Sequence, residues 1–343
     1  SSRFASRWHQ MASSPCIRPA GREVGLFNDE HFGQLRELSG VPDDFANEGW
    51  SLETLEDGGA KGGCLVAFIG SEYVVKELSH DDHESLLAIA ESYVEHVTEG
   101  ETMLSAILLH FEDVFSGRRF FAMRNVVGRG PFLAKYDLKG CNDDKTIELF
   151  GTKLSAGRAL LWSASQWCSS LDSAELAAYS AGKWAAARAD LVVTAPQRSE
   201  ILRRMRRDTA WLAQHRLMDY SLMVGVKTGK PGFAGGAVLG RLPLTRQCSD
   251  GSEVVLCVGV IDFLQRWNIK KAAARALKFL ECNKATIPPD AYGRRFFTHF
   301  EERFVLANVP EPALLGRVGS PAKLAEVEEV HPKDAQRVRM QKA

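Results

Sequence analysis

Apolar and polar positions along the chain divide it into recognisable units. Residues 29–38 are polar with a moderately amphipathic pattern, which predicts a short helix. A glycine-rich stretch, Gly58-Gly59-Ala60-Lys61-Gly62-Gly63, then leads into two apolar runs, 64–69 and 73–78, split by Gly70-Ser71-Glu72. That pattern predicts a loop feeding a β-hairpin. Behind Ser79 or Asp81, either of which can cap a helix, Leu86, Leu87, Ala90, Tyr93, Val94 and Val97 recur at helical spacing. Strands are predicted at 118–126 and 132–138, and loosely patterned helix over the Ala-, Ser- and Trp-rich residues 153–190. A firmer helix covers 198–216, with Ile201, Leu202, Met205, Thr209 and Leu212 on one side and the basic run 203–207 interleaved as a solvated side. A strand at 221–226, a Gly/Pro-rich loop at 227–252 and an apolar strand at 253–264 follow. Two more helices are expected at 269–280 and 290–306, the second with Phe296, Phe297, Phe300 and Phe304 on one face.

Composition narrows the class without naming a chemistry. At 343 residues the chain is long enough for a two-lobed enzyme with a sizeable core. Lys+Arg and Asp+Glu balance at 43 each, so no overall field draws it to nucleic acid, and attraction to a membrane must come from a local patch. The 7 cysteines form no C-x-x-C pair and no zinc-spaced cluster, a scatter that fits a reducing, cytoplasmic compartment. No apolar run approaches the ~20 residues that span a bilayer. The chain begins at Ser1, and its first residues lack the pattern of a secretory signal.

The candidate chemistry lies where carboxylates meet strand ends. Asp219, in His-Arg-Leu-Met-Asp-Tyr-Ser-Leu-Met-Val-Gly-Val (215–226), sits between a polar helix end and an apolar strand. A rigid strand would fix it and the preceding loop would leave it open to substrate, although a lone Asp there reads first as a turn cap. Asp262, in Val-Gly-Val-Ile-Asp-Phe-Leu-Gln, ends the most apolar strand of the chain. A carboxylate there must be paired or bind a metal. Phosphoryl transfer needs such carboxylates, a backbone over the triphosphate and a lysine on its oxygens. Gly58, Gly59, Gly62 and Gly63 offer the backbone, and Lys76, flanked by valines on the second hairpin strand, offers the ammonium. An acidic partner on the next helix would be Asp82 or Glu84. The loop is neither a Walker motif nor the protein-kinase G-x-G-x-x-G.

These segments, together with others in the same order, resemble the phosphatidylinositol phosphate kinases over residues 27–306. Residues 32–41 and Asp43-Asp44-Phe45 look like that family's lead-in helix. The stretch from Gly58 to Lys76 is similar to its glycine loop and lysine, with equal spacing. Tyr136-Asp137-Leu138-Lys139-Gly140 resembles its Tyr/Phe-Asp-Leu-Lys-Gly-Ser signature, residues 208–226 its catalytic segment and residues 260–265 its metal motif. Lys270-Lys271 followed by Tyr292-Gly293-Arg294-Arg295-Phe296 resembles its activation segment and the helix beyond.

The resemblance implies an α+β, two-lobed lipid kinase fold with an antiparallel sheet in each lobe. It implies a flexible N-terminal segment at 1–26, an N-lobe at 27–134, a C-lobe at 135–310 and a tail at 311–343. It also implies ATP and Mg2+ as cofactors, with the Gly58–63 loop and Lys76 on ATP, Asp219 as catalytic aspartate and Asp262, with Asp219, as the metal site. Asp137, Lys139 and Lys145 would line a lipid-phosphate pocket, while Lys270, Lys271 and Ala273 would meet the substrate in the membrane surface. The implied reaction makes phosphatidylinositol 4,5-bisphosphate from a monophosphate; a silent phosphoinositide-binding scaffold is the alternative. The enzyme would associate peripherally with a membrane, with a homodimer left open. Three positions depart from the family pattern: Cys141 replaces the signature Ser, Gly63 a Ser, and Lys145 its Arg, where Asp143 and Asp144 nearby are expected to oppose anion binding. Ala at the position of Ala273 goes with 5-phosphate-using members, but the segment is about two residues short, so the register is not fixed.

Overall fold

The computed structural model describes residues 11–12, 15–57, 65–141, 143–153, 182–183, 185–229, 239–247, 253–268 and 287–306. The glycine loop at 58–63, the helices expected within 153–190 and at 269–280, Lys270, Lys271, Ala273 and the tail lie outside these residues, apart from short pieces at the edges of 153–190.

In chain order the elements are β1 (Met11–Ala12), β2 (Val24–Phe27), α1 (Asp29–Leu38), β3 (Glu56–Asp57), β4 (Leu65–Ile69), β5 (Tyr73–Glu77), α2 (His80–Thr98), β6 (Ile107–Asp113) and β7 (Arg119–Arg124). Next come β8 (Ala134–Leu138), β9 (Lys145–Leu149), β10 (Thr152–Lys153), β11 (Leu191–Val193), α3 (Ala195–Gln214), β12 (Ser221–Gly229), β13 (Leu242–Gln247), β14 (Glu253–Ile261), α4 (Pro289–Arg303) and β15 (Phe304–Leu306). Two antiparallel sheets carry the fold, ordered β1-β2-β6-β7-β5-β4-β3 and β10-β9-β8-β12-β14-β13, and β11 pairs with β15 in parallel. This is the expected α+β arrangement with one antiparallel sheet per lobe.

Both faces of the first sheet are covered. Ile107 and Leu108 on β6 join the main core beneath α1 and α2, while Leu109, Phe111, Phe120 and Val75 pack with Ile17, Val24 and Leu26 in a second cluster. Hence β6 has no alternation to read, and the residues expected to be a flexible start instead supply β2 and Ile17 to the core. The Gly/Pro-rich stretch expected as a loop contains the end of β12 and all of β13. Pro243 disguised it, yet β13 is an edge strand, where a missing N–H is tolerated. The expected helix at 290–306 stops at Arg303 and gives way to β15.

Helix starts follow their caps. Ser79, not Asp81, caps α2, its hydroxyl accepting from the Asp82 N–H at 3.2 Å. A capping box starts α3: Thr194 Oγ1 accepts from the Gln197 N–H, and Gln197 Oε1 accepts from the Thr194 N–H at 3.0 Å.

The lobes join along residues 102–106. The Ser105 N–H donates to Val260 O at 2.8 Å, and the Val260 N–H to Met103 O at 2.6 Å, so the connecting segment pairs with β14 itself. Gly240 presses on the same segment. A Cβ there would lie 2.1 Å from Ala106 N and 2.9 Å from Leu104 O, and its φ of +74° is left-handed. Gly240→Ala is therefore expected to destabilise the chain by at least ~2 kcal/mol in urea unfolding, because both clashing atoms are backbone. An unchanged midpoint would mean that the junction yields freely.

Candidate active site

The register of the second sheet gathers the charged residues singled out in the sequence. Ser221 on β12 pairs with Ile261 on β14, so Asp219 just precedes one strand and Asp262 just follows its neighbour. On the other side β12 pairs with β8, placing Met223 opposite Asp137 and setting Lys139 just beyond the ladder. Then β8 pairs with β9, which puts Lys145 opposite Asp137. Four residues from three distant segments thus reach one end of one sheet, joined by Lys145 one strand further out.

Two loops hold that end rigid. The Met218 N–H donates to Gln265 O at 2.9 Å and the Trp267 N–H to Arg216 O at 2.8 Å, so residues 216–218 and 265–267 are laced together. From α4 the Tyr292 hydroxyl donates to Tyr220 O at 2.5 Å. Asp219 and Asp262 both adopt left-handed backbone, with φ of +65° and +59°. Asp tolerates this region better than most residues, but it still costs of order 1 kcal/mol and is held by surrounding bonds. Both carboxylates therefore sit on sharply turned, fixed backbone at strand ends.

Each carboxylate meets a lysine from a different element. Lys139 Nζ donates to Asp219 Oδ1 at 2.5 Å. Lys76, opposite Val66 and Phe121 in the first sheet, forms an ion pair across the lobes with Asp262, whose side chain is 42% exposed. Asp82, one of the two acids proposed for Lys76, accepts from the Ser79 hydroxyl at 2.7 Å, and Glu84 lies beside His80. Burial works against the charge on Lys139, but Asp219, Asp137 and Asp262 outweigh it and raise its pKa. Asp137 is likewise buried, yet Lys145, at 3.1 Å, and Lys139 hold its carboxyl below the usual range. Acidic and basic side chains alternate across the cleft.

The signature loop itself is built around Asp144. Its Oδ1 accepts from the N–H groups of Lys139, Gly140 and Cys141 at 2.6, 2.9 and 3.3 Å. The sequence suggested that Asp143 and Asp144 both oppose anion binding, but Asp144 is buried and faces inward as the loop's anchor, leaving Asp143 exposed. Burial raises the Asp144 carboxyl despite those three bonds, and it pushes the Cys141 thiol up to about 11, so Cys141 is an inert packing group. Behind the loop, His299 lies where a Cβ on Gly140 would meet it at 3.2 Å. Burial, Arg303 and Arg295 hold its imidazole neutral, down to about 4.

One basic group was not visible in the sequence reading. Lys183 follows Gly182, whose carbonyl accepts from Thr146 Oγ1 at 2.7 Å, and Asp143, Lys145, Asp144 and Cys141 surround its ammonium. Burial lowers its pKa, the first of these causes, with Asp143 acting in opposition. No local pattern marks Lys183; the hydrogen bond from Thr146 on β9 to Gly182 O ties its segment to the loop. No group of three or more His, Cys, Asp or Glu that could hold a metal occurs among the described residues.

The family model described as phosphatidylinositol-4-phosphate 5-kinase matches residues 49–235 and 240–303, which is more than half of the chain and includes the whole carboxylate–lysine cluster. The chain is 24% identical over 326 residues to phosphatidylinositol 5-phosphate 4-kinase type-2 gamma of Xenopus tropicalis, covering 77% of this chain and 72% of that one. It is 23% identical over 320 residues to phosphatidylinositol 5-phosphate 4-kinase type-2 alpha of Sus scrofa, covering 77% and 74%. It is also 21% identical over 311 residues to 1-phosphatidylinositol 3-phosphate 5-kinase FAB1 of Saccharomyces cerevisiae, covering 84% of this chain but only 12% of that much longer protein. The chain belongs to the family of phosphatidylinositol phosphate kinases, which are phosphotransferases.

Proposed function

We propose that this chain transfers the γ-phosphoryl group of ATP to a ring hydroxyl of a phosphatidylinositol monophosphate, giving phosphatidylinositol 4,5-bisphosphate and ADP. The observation that carries the reading is the pairing of Asp219 with Lys139 and of Asp262 with Lys76 at one sheet end, across the junction of the lobes. Lys76 belongs on the ATP phosphates, beneath the Gly58–63 backbone. Asp219, paired with Lys139, orients the attacking hydroxyl and accepts its proton. As the new oxygen–phosphorus bond forms, the bond from the γ-phosphorus to the bridging oxygen breaks and ADP carries the electron pair away. Lys139 and Lys145 turn to the monophosphate of the substrate, exchanging carboxylate partners for phosphate oxygens.

Asp262 and Asp219 fit a Mg2+ site of the kind that uses one or two carboxylates together with substrate phosphates. When bound, Mg2+ would neutralise charge on the phosphate oxygens. The described residues contain no helix long and apolar enough to cross a membrane. Peripheral association is accordingly the mode proposed, with Lys270 and Lys271 near the headgroups and Ala273 bearing on the choice of isomer.

The test is transfer of label from radiolabelled ATP to vesicles containing each of the three monophosphorylated phosphatidylinositols, run beside Asp262→Asn. Labelled bisphosphate is expected from at least one isomer. Asp262→Asn is expected to lose more than about 100-fold in rate and to weaken the Mg2+-dependent thermal shift by ATP. No labelled lipid from any isomer would sink the proposal.

A further inference from the structure

The outer face of α3 carries a groove that the kinase chemistry does not use. Ala195, Leu202, Arg203, Arg206 and Ala210 line it along one side of the helix, and Leu306 of β15 closes its end. The apolar members are unusually open: Ala195 and Ala210 are exposed, Leu202 is half-buried, and Leu306 is 40% exposed. Four arginines line the groove and, among the described residues, no carboxylate does. Two of them, Arg203 and Arg207, reach outward to Glu101, Glu200 and Glu99. Arg206 lies over the ring of Phe297, and Arg198 donates to the carbonyls of Phe304 and Glu301, so neither meets a carboxylate among the described residues. An apolar strip beside a basic rim, two of whose four arginines meet no carboxylate among the described residues, calls for an occupant that is apolar on one side and acidic beside it.

The chain supplies such a segment immediately after the groove. Leu306 is the last described residue, and 37 residues of sequence follow it. Among them, Ser320-Pro321 gives a helix start signal and Pro332 a stop signal. Between these signals Leu324, Val327 and Val330 recur at helical spacing, and Glu326 and Glu328 flank that stripe on either side. We propose that residues 321–331 of this chain dock in the α3 groove, with Leu324, Val327 and Val330 on Leu202, Ala210 and Leu306 and the glutamates against Arg206 and its neighbours. Reach is no obstacle. A coil from Leu306 to Leu324 spans roughly 25 Å on average, and the groove from Ala195 to Ala210 is about 22 Å long. Tethering at this distance raises the effective concentration to the millimolar range, so a modest interface suffices. The docked segment would brace the helix whose far end runs into the Asp219 loop.

Hydrogen exchange read by mass spectrometry on the full chain tests this without dissecting it. In the wild type, amides of 322–331 are expected to exchange at least about tenfold more slowly than in Arg206→Glu, the size set by a few rim ion pairs and their shared apolar contact. Combining Arg206→Glu with Glu326→Arg and Glu328→Arg is expected to restore the protection. Leu202→Asp should remove it by the apolar route. Unprotected amides in the wild type, or protection indifferent to both groove variants, would overturn the proposal. So would protection that grows with protein concentration, which would assign the groove to a second copy, or loss of protection in 154–181 rather than the tail.

Discussion

Asp219→Asn is expected to lower kcat for lipid phosphorylation by about 10²–10⁴-fold, the range for removing a positioned general base. The variant is chosen for its backbone. Asp219 has a φ of +65°, a region that Asn tolerates as well as Asp, so the fold of the loop should survive. Alanine would add strain at the same position and confuse a structural loss with a chemical one. Asn keeps the shape of the side chain but loses the negative charge that Lys139 meets at 2.5 Å and the capacity to take a proton. Because Asp262 and Lys76 are untouched while one of the two carboxylates proposed for Mg2+ is lost, the Mg2+-dependent thermal shift by ATP should weaken less than in Asp262→Asn, and the larger part of the loss should fall on kcat rather than on KM for ATP. Wild-type turnover in the variant would remove Asp219 from the proposed role. Loss of the ATP shift as well would mean that Asp219 acts mainly in holding the nucleotide site together.

The sequence made the carboxylates legible because each follows or precedes an apolar strand, and a strand end is where a buried run must meet solvent. It could not show that Asp219 and Asp262 are neighbours, since that depends on Ser221 pairing with Ile261, a register between segments 40 residues apart. Lys76 was legible as a strand lysine, but its pairing with Asp262 in the other lobe was not, because that contact depends on how the two sheets are joined. Asp144 was misjudged for a related reason. From sequence alone an acid near a proposed phosphate pocket counts as repulsive charge, whereas three converging N–H groups turn it into a loop anchor. β6 and β13 escaped notice because the usual marks were missing: one is buried on both faces, and the other carries a proline that only an edge strand accepts. What local pattern cannot supply, in each case, is the identity of the neighbour.

Asp208→Ala is expected to destabilise the folded chain by about 3–5 kcal/mol, the largest effect on stability anticipated here. Asp208 lies on α3, is 1% exposed, and joins three partners from the other side of the lobe junction. Its Oδ1 is 2.8 Å from His96 Nε2 and accepts from Thr102 Oγ1 at 2.7 Å, and its Oδ2 accepts from the Met103 N–H at 2.7 Å. Removing the carboxyl leaves those groups buried without a partner, each costing about 1–3 kcal/mol, with partial relief if water enters the gap. Asp208→Asn should cost less, because its oxygen can keep the Met103 N–H while its NH2 turns to the Thr102 hydroxyl and His96 Nε2, either of which can accept. The consequence reaches the cleft: Met103 O accepts from Val260, two residues before Asp262, so loosening residues 102–103 frees the strand end that meets Lys76. Urea unfolding of both variants, read beside ATP·Mg2+ thermal shifts, separates the two effects. A shift below about 1 kcal/mol in Asp208→Ala would show that the junction is held by packing around Leu104 and Val260 rather than by this carboxyl group. A large loss of stability with an unchanged nucleotide shift would confine Asp208 to the fold.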